Sequence, residues 1–156
     1  MQEIGDVIDC YYELEAQDLI TSLRNSSDGF KKTANIHFQS RLAFEMDPSD
    51  VCTDLQNGVT GFVVVDTRTR ETYMKGHVPR AVNLPYREIS PGSTASFAKD
   101  KLIVTYCDGV FCNASTKAAA RLARSASGSE MLHGMAGWGE EGYPVETGLG
   151  PVELER

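Results

Sequence analysis

Cys107 and Cys112 share one short segment, Tyr106-Cys107-Asp108-Gly109-Val110-Phe111-Cys112-Asn113. A thiolate attacks sulfur, carries it as a persulfide, or closes a disulfide with a second thiol. The segment follows Leu102-Ile103-Val104-Thr105-Tyr106, which reads as a buried strand, and it precedes an alanine-rich stretch, Asn113 to Arg124, which reads as a helix. In an open parallel sheet, ligands bind beyond the carboxyl ends of the strands. A loop curling there turns successive N–H groups inward, and the following helix adds its positive end. Cys107 is therefore the expected nucleophile. Asp108, Gly109, Val110, Phe111, Cys112 and Asn113 are the expected cradle, with the N–H groups of Gly109 through Asn113 facing the Cys107 sulfur. The same cradle suits the terminal sulfur of a persulfide or an oxyanion. Asp108 sets a negative charge beside Cys107, which opposes those dipoles. Cys112 has two readings. It attacks an oxidised or persulfidated Cys107, which requires a sharply folded loop, or it is a small residue packed beneath the helix start.

The elements that must position this loop are legible as a strand–turn–helix series. Phe62-Val63-Val64-Val65 is a continuous β-branched run, expected of a strand covered on both faces. It ends in Asp66-Thr67-Arg68. Gly76-His77-Val78-Pro79 leads to a short apolar segment, Ala81-Val82-Asn83-Leu84-Pro85. The order of strands and helices predicts a parallel sheet with crossover helices. Asp47-Pro48-Ser49-Asp50 predicts a helix start with a capping carboxylate and proline at the first position, and Gly58 its stop. Cys52, beside the apolar face of that helix, is expected to be buried and inert. Phe30 to Arg41 is ambiguous, a second short helix being one reading, and Leu42-Ala43-Phe44 reads as an edge strand. Ile8, Tyr12, Ala16, Leu19, Ile20 and Leu23 recur at helical spacing and predict an amphipathic N-terminal helix. That helix packs on its own domain or forms a homodimer contact.

The chain has 156 residues, 41% hydrophobic and 24% charged, with a net charge of -7. One soluble domain is the expectation, with no internal repeat. The acidic balance argues against nucleic acid and against anionic membrane surfaces as partners. No apolar run approaches the ~20 residues that span a bilayer. Met1 to Asp9 lack a cationic start followed by an apolar stretch, so no secretory signal and a reducing, cytoplasmic setting are expected. The four cysteines contain no CxxC pair, and Cys107 and Cys112 are spaced unlike zinc ligands, so no metal site is expected.

Three stretches carry a family resemblance. VVVDTRTRETYMKGHVPRAVNLP, from Val63 to Pro85, resembles the first signature of the rhodanese family, an aspartate-x-arginine after a strand followed by glycine-histidine-x-proline. LIVTYCDGVFCNASTKAAARLA resembles the family's active-site strand, loop and helix, and EMLHGMAGWGEEGYPVE, from Glu130 to Glu146, its closing strand and ending. The resemblance covers about Leu42 to Glu146. It implies an α/β three-layer sandwich with a central, mostly parallel five-stranded sheet. It also implies a rhodanese-like domain over 42–156 preceded by a helical extension over 1–41, with Cys107 in the position of the persulfide-forming cysteine. By the same resemblance, Asp66 and Arg68 brace the loops around the site and His77 has a structural hydrogen-bonding role. Trp138 is expected to pack in the core or at its rim.

Departures from the family narrow the chemistry. Thiosulfate-using members place arginine or lysine in the loop, where it binds a dianionic donor. This loop has none, and it is about two residues longer, as in the phosphatases and arsenate-reducing relatives of this fold. Those phosphatases close the loop with an arginine where Asn113 stands. The expectation is a sulfurtransferase that needs no cofactor, takes sulfur from a small-molecule or protein persulfide rather than thiosulfate, and passes it to a thiol acceptor. Arg80, where the family commonly has glycine, is a candidate replacement cation for anion binding. The alternative is a non-catalytic or redox-sensing module built on Cys107 and Cys112.

Overall fold

The computed structural model of the chain describes residues 28–94, 97, 100–124 and 127–150. The helix expected around Ile8 to Leu23 lies outside the described residues. The chain divides into two compact units, Met1–Leu42 and Ala43–Arg156. The described part of the first is helix α1 (Asp28–Phe44), whose last two residues belong to the second unit. Leu42-Ala43-Phe44 is thus the final turn of a helix and not a strand. No glycine or proline interrupts the chain between Phe30 and Phe44, so the helix runs on through the apolar triplet. The edge strand begins one residue later, as β1 (Glu45–Met46).

Helix α2 (Pro48–Gln56) starts where the aspartate–proline pair predicts, with Val51 and Cys52 buried. The expected capping carboxylate is not used. Asp47 caps with its main chain, its carbonyl accepting from the Asp50 and Val51 N–H groups. Strand β2 (Phe62–Asp66) is followed by α3 (Arg70–Lys75), a short helix in the polar stretch where none was foreseen. Thr69 caps it by accepting the Thr72 N–H at 3.3 Å. Then come β3 (Val82–Asn83), a 3-10 turn (Tyr86–Glu88), β4 (Leu102–Tyr106), α4 (Ala114–Leu122), β5 (Ser127–Met131) and α5 (Gly134–Glu140).

The five strands form a wholly parallel sheet in the order β1-β5-β4-β2-β3. Its two faces carry separate apolar clusters, which explains the unbroken β-branched run of β2. Val64, Val104 and Tyr106 pack on one face with Val51, Cys52, Tyr73 and Trp138 from α2, α3 and α5. Val65 and Ile103 pack on the other with Leu122 of α4 and Phe97. Strand β4 lies at the centre. The chain moves outward from β2 to β3 and then returns to β4 on the other side of β2. The carboxyl ends of β2 and β4 therefore flank a topological switch point, the place where a parallel sheet opens a crevice.

Candidate active site

Both predicted site segments leave the sheet at that crevice. Asp66 ends β2 and Tyr106 ends β4 as cross-strand partners. Thr67 ties the two exits together, its N–H and hydroxyl both donating to the Tyr106 carbonyl, at 3.0 and 2.7 Å. Cys107, the next residue, is buried.

Under it lies a fully buried charged group. Asp66 accepts from the Arg68 main-chain N–H and from Nε at 3.0 Å through Oδ1, and its Oδ2 accepts both Arg68 Nη2 and the Tyr106 hydroxyl at 2.6 Å. Arg68 Nη2 also donates to the Gly76 carbonyl at 2.7 Å. Burial works against the Arg68 charge, but the hydrogen bonds and charge of Asp66 outweigh it and hold the guanidinium above its usual range. Burial and then the Asp66 charge keep the Tyr106 hydroxyl protonated far beyond an ordinary tyrosine. The remaining Arg68 nitrogen, Nη1, stands 3.5 Å from the Asp108 carboxylate. Asp66, Arg68 and Asp108 are thereby brought together. The Asp108 side chain is 67% exposed and faces this cation, which offsets its charge beside Cys107.

The main chain of the loop is pinned from α5. Met135 N–H donates to the Cys107 carbonyl and Ala136 N–H to the Asp108 carbonyl, both at 2.8 Å. Such close approach requires Gly134, whose φ is +55° and where a β-carbon would collide with the Cys107 carbonyl. Before it, His133 takes a left-handed φ of 61°. Gly109 packs tightly against the same helix, where a β-carbon would come to 3.1 Å from that of Ala136. Val110 and Phe111 form the exposed tip. Cys112 N–H then donates back to the Gly109 carbonyl at 2.9 Å, folding the loop sharply toward its origin.

The Cys107 sulfur is not ringed by N–H groups as expected. Its neighbours are the Cys112 carbonyl at 3.0 Å, the Ser115 hydroxyl at 3.2 Å and the Gly109 carbonyl at 3.9 Å. The Cys112 side chain lies near the Asp108 and Ala114 N–H groups and the Cys107 thiol, all of which act on its own thiol. Burial raises the Cys112 thiol above its usual value, the Ala114 N–H opposes this, and the Cys107 contact adds to the rise. Asn113, at the helix start, makes no side-chain cap.

Ser115 and Glu130 belong to the site although the sequence did not single them out. Ser115 Oγ donates to Glu130 Oε1 at 2.7 Å, and Thr116 Oγ1 donates to the same oxygen at 3.0 Å. Glu130 lies in β5 as the cross-strand partner of Thr105, so its side chain rises on the α4 face. The available signal was a serine in the first turn behind the loop. Arg80 is exposed, with φ of 62°, the left-handed conformation that glycine adopts freely. Its N–H donates to Glu146, which also pairs with His77 through the main chain. Nothing places it with the loop. His77 is buried, its Nδ1 at 2.9 Å from the Tyr73 carbonyl and its ring stacked on Tyr73. Trp138 is buried and donates to the Pro144 carbonyl at 2.8 Å.

The profile of the rhodanese-like domain matches residues 50–141. Among solved structures, the BH2092 protein of Bacillus halodurans is similar, with 36% identity, a TM-score of 0.72, and coverage of 77% of this chain and 88% of that one. A thiosulfate sulfurtransferase of Pseudomonas aeruginosa shares the fold at 20% identity and a TM-score of 0.58, over 68% of this chain and 20% of its own. The HTH-type transcriptional regulator Rv0324 of Mycobacterium tuberculosis is 39% identical over 88 residues, which are 54% of this chain. The chain spans only 38% of that regulator's length. Among the described residues, no helix is long and apolar enough to cross a membrane.

Proposed function

Because the chain belongs to the rhodanese-like domain family, we propose that it is a sulfurtransferase whose persulfide carrier is Cys107. The Cys107 thiolate attacks the outer sulfur of a small-molecule or protein persulfide, and the donor thiolate leaves. An acceptor thiol then attacks that sulfur and restores Cys107. One observation carries this reading: the Cys107 sulfur touches Ser115 Oγ, whose own proton is committed to Glu130. Towards the Cys107 thiol Ser115 can therefore only accept, in competition with the nearer Cys112 carbonyl, and in that role it gives the proton a route toward a carboxylate. No cofactor or metal is needed, and the chemistry suits a reducing compartment such as the cytoplasm. In this reading residues 42–156 hold the chemistry and 1–41 are an extension, available for a homodimer contact.

The donor class follows from charge. Arg68 is occupied by Asp66 and Asp108, so the loop offers no free cation for dianionic thiosulfate. Arg80 is the candidate replacement, and unchanged Michaelis constants for anionic donors in Arg80→Ala end that role. The central test is intact mass after treatment with glutathione persulfide. An adduct of about 32 Da, one sulfur atom, is expected in the wild type or in a Cys112→Ala background, and is lost in Cys107→Ser. Its absence from both backgrounds with glutathione persulfide, polysulfide and thiosulfate refutes the enzyme.

A second reading, a redox-sensing module, is supported by the Gly109 turn, which brings the Cys112 carbonyl to 3.0 Å from the Cys107 sulfur. Mild peroxide would then remove two free thiols per chain with no sulfur donor present, and only one in Cys112→Ala.

A further inference from the structure

We propose that Cys112 is an internal acceptor that reduces the Cys107 persulfide, releasing hydrogen sulfide and closing a Cys107–Cys112 disulfide. This rests on the Cys107 reading above and adds to it a second outcome for the bound sulfur. In a simple sulfurtransferase the sulfur leaves only when an outside thiol arrives. Here a second thiol is already in place.

Three features of the loop point the same way. The Gly109 turn brings Cys112 back over its starting residue, with the Cys112 carbonyl 3.0 Å from the Cys107 sulfur. The two side chains are close enough for the Cys107 thiol to shift that of Cys112. The Asp108 and Ala114 N–H groups, the latter at the amino end of α4, act on the Cys112 thiol. Burial holds the Cys112 thiol above its usual range, and these N–H groups oppose that rise at the sulfur that must give up its proton in order to attack. The cradle anticipated for the nucleophile thus serves its neighbour. Cys52 has no part in this, being buried in α2 with Gln56 donating to its sulfur at 3.4 Å.

The step balances as follows. The Cys112 sulfur attacks the Cys107 sulfur, the Cys107–sulfur bond to the outer atom breaks, and the outer sulfur departs as hydrosulfide carrying the Cys112 proton. The outer sulfur is reduced by two electrons, and the two cysteine sulfurs are oxidised by one each. A dithiol reductant then reopens the disulfide and returns the chain to its starting state. The net reaction is reduction of a sulfane sulfur to sulfide by a dithiol.

The test is to treat the reduced full chain with one equivalent of glutathione persulfide, remove excess reagent, and follow sulfide and mass with no other thiol added. Wild type should release about one sulfide per chain and lose about 2 Da, with the disulfide mapped to the peptide holding Cys107 and Cys112. Cys112→Ser and Cys112→Ala should instead accumulate the adduct of about 32 Da and release sulfide at least tenfold more slowly. A persistent adduct in wild type, without sulfide, overturns the internal acceptor and leaves the sulfurtransferase standing. No adduct in either Cys112 variant overturns both.

Discussion

Ser115 donates its hydroxyl proton to Glu130 at 2.7 Å, so towards Cys107 it offers only lone pairs. In the proposed reaction the hydroxyl is thereby fixed as an acceptor at the moment Cys107 must lose a proton. A serine on the surface of a helix would have rotated freely between roles. Thr116 shares the same carboxylate oxygen and keeps Glu130 turned to the helix.

Ser115→Ala should slow sulfur loading of Cys107 by about tenfold, the worth of one hydrogen bond of roughly 1.5 kcal/mol. The measurement is the rate of adduct formation with glutathione persulfide, with the unfolding midpoint checked in parallel. Ser115→Thr, which keeps the hydroxyl, should recover much of the rate. A full rate in the alanine variant would remove the proton route.

Gly134→Ala should disable loading from the far side of the site. The added β-carbon meets the Cys107 carbonyl and comes to 3.0 Å from the Gly109 nitrogen, while the backbone stays at a φ that alanine disfavours. We expect a loss of about 1–3 kcal/mol in urea unfolding and a Cys107 displaced from Ser115. Gly139→Ala in the same helix is the control, since nothing lies within 4 Å of its β-carbon. Equal stability and equal loading of the two variants would contradict the pinning.

Alkaline titration should separate Tyr86 from Tyr106. Tyr86 ionises below the usual 10.0, chiefly through its hydrogen bond to Arg87, and its ring also lies near Lys117 and Arg121. Its phenolate absorbance should appear first and disappear in Tyr86→Phe. Tyr106 is shifted the other way by burial and by Asp66. Its folded-state value exceeds the unfolded one, so its contribution to stability is complete below about pH 10 and is lost as the pH rises further. Tyr106→Phe should flatten that alkaline decline. A native tyrosine that ionises early in Tyr86→Phe would refute the assignment.

Strongly patterned features were legible in the sequence. The β-branched runs of β2 and β4 become central parallel strands because both faces are covered, and the family signature located Cys107 at the end of the middle strand. Weakly patterned features were not. Asp28–Phe44 and Arg70–Lys75 form helices through continuity and a threonine cap rather than through a clear apolar stripe. The two-residue strands at either edge are fixed by pairing partners far along the chain, such as Glu45 with Glu130. The site divides along the same line. Residues adjacent to Cys107 in sequence could be named, while Glu130 joins through strand register and Met135 through a helix that docks its N–H on the loop. The contacts of the Cys107 sulfur escaped prediction because the Gly109 turn rotates the Cys112 carbonyl, not its N–H, toward that sulfur.

The pinning of the Cys107 and Asp108 carbonyls by Met135 and Ala136 has a consequence for biosynthesis. The reactive cysteine is made well before the residues that hold it in place. A nascent or truncated chain ending short of Gly134 carries the thiol but lacks its anchor, so under the proposed function sulfur capture would wait until α5 has docked.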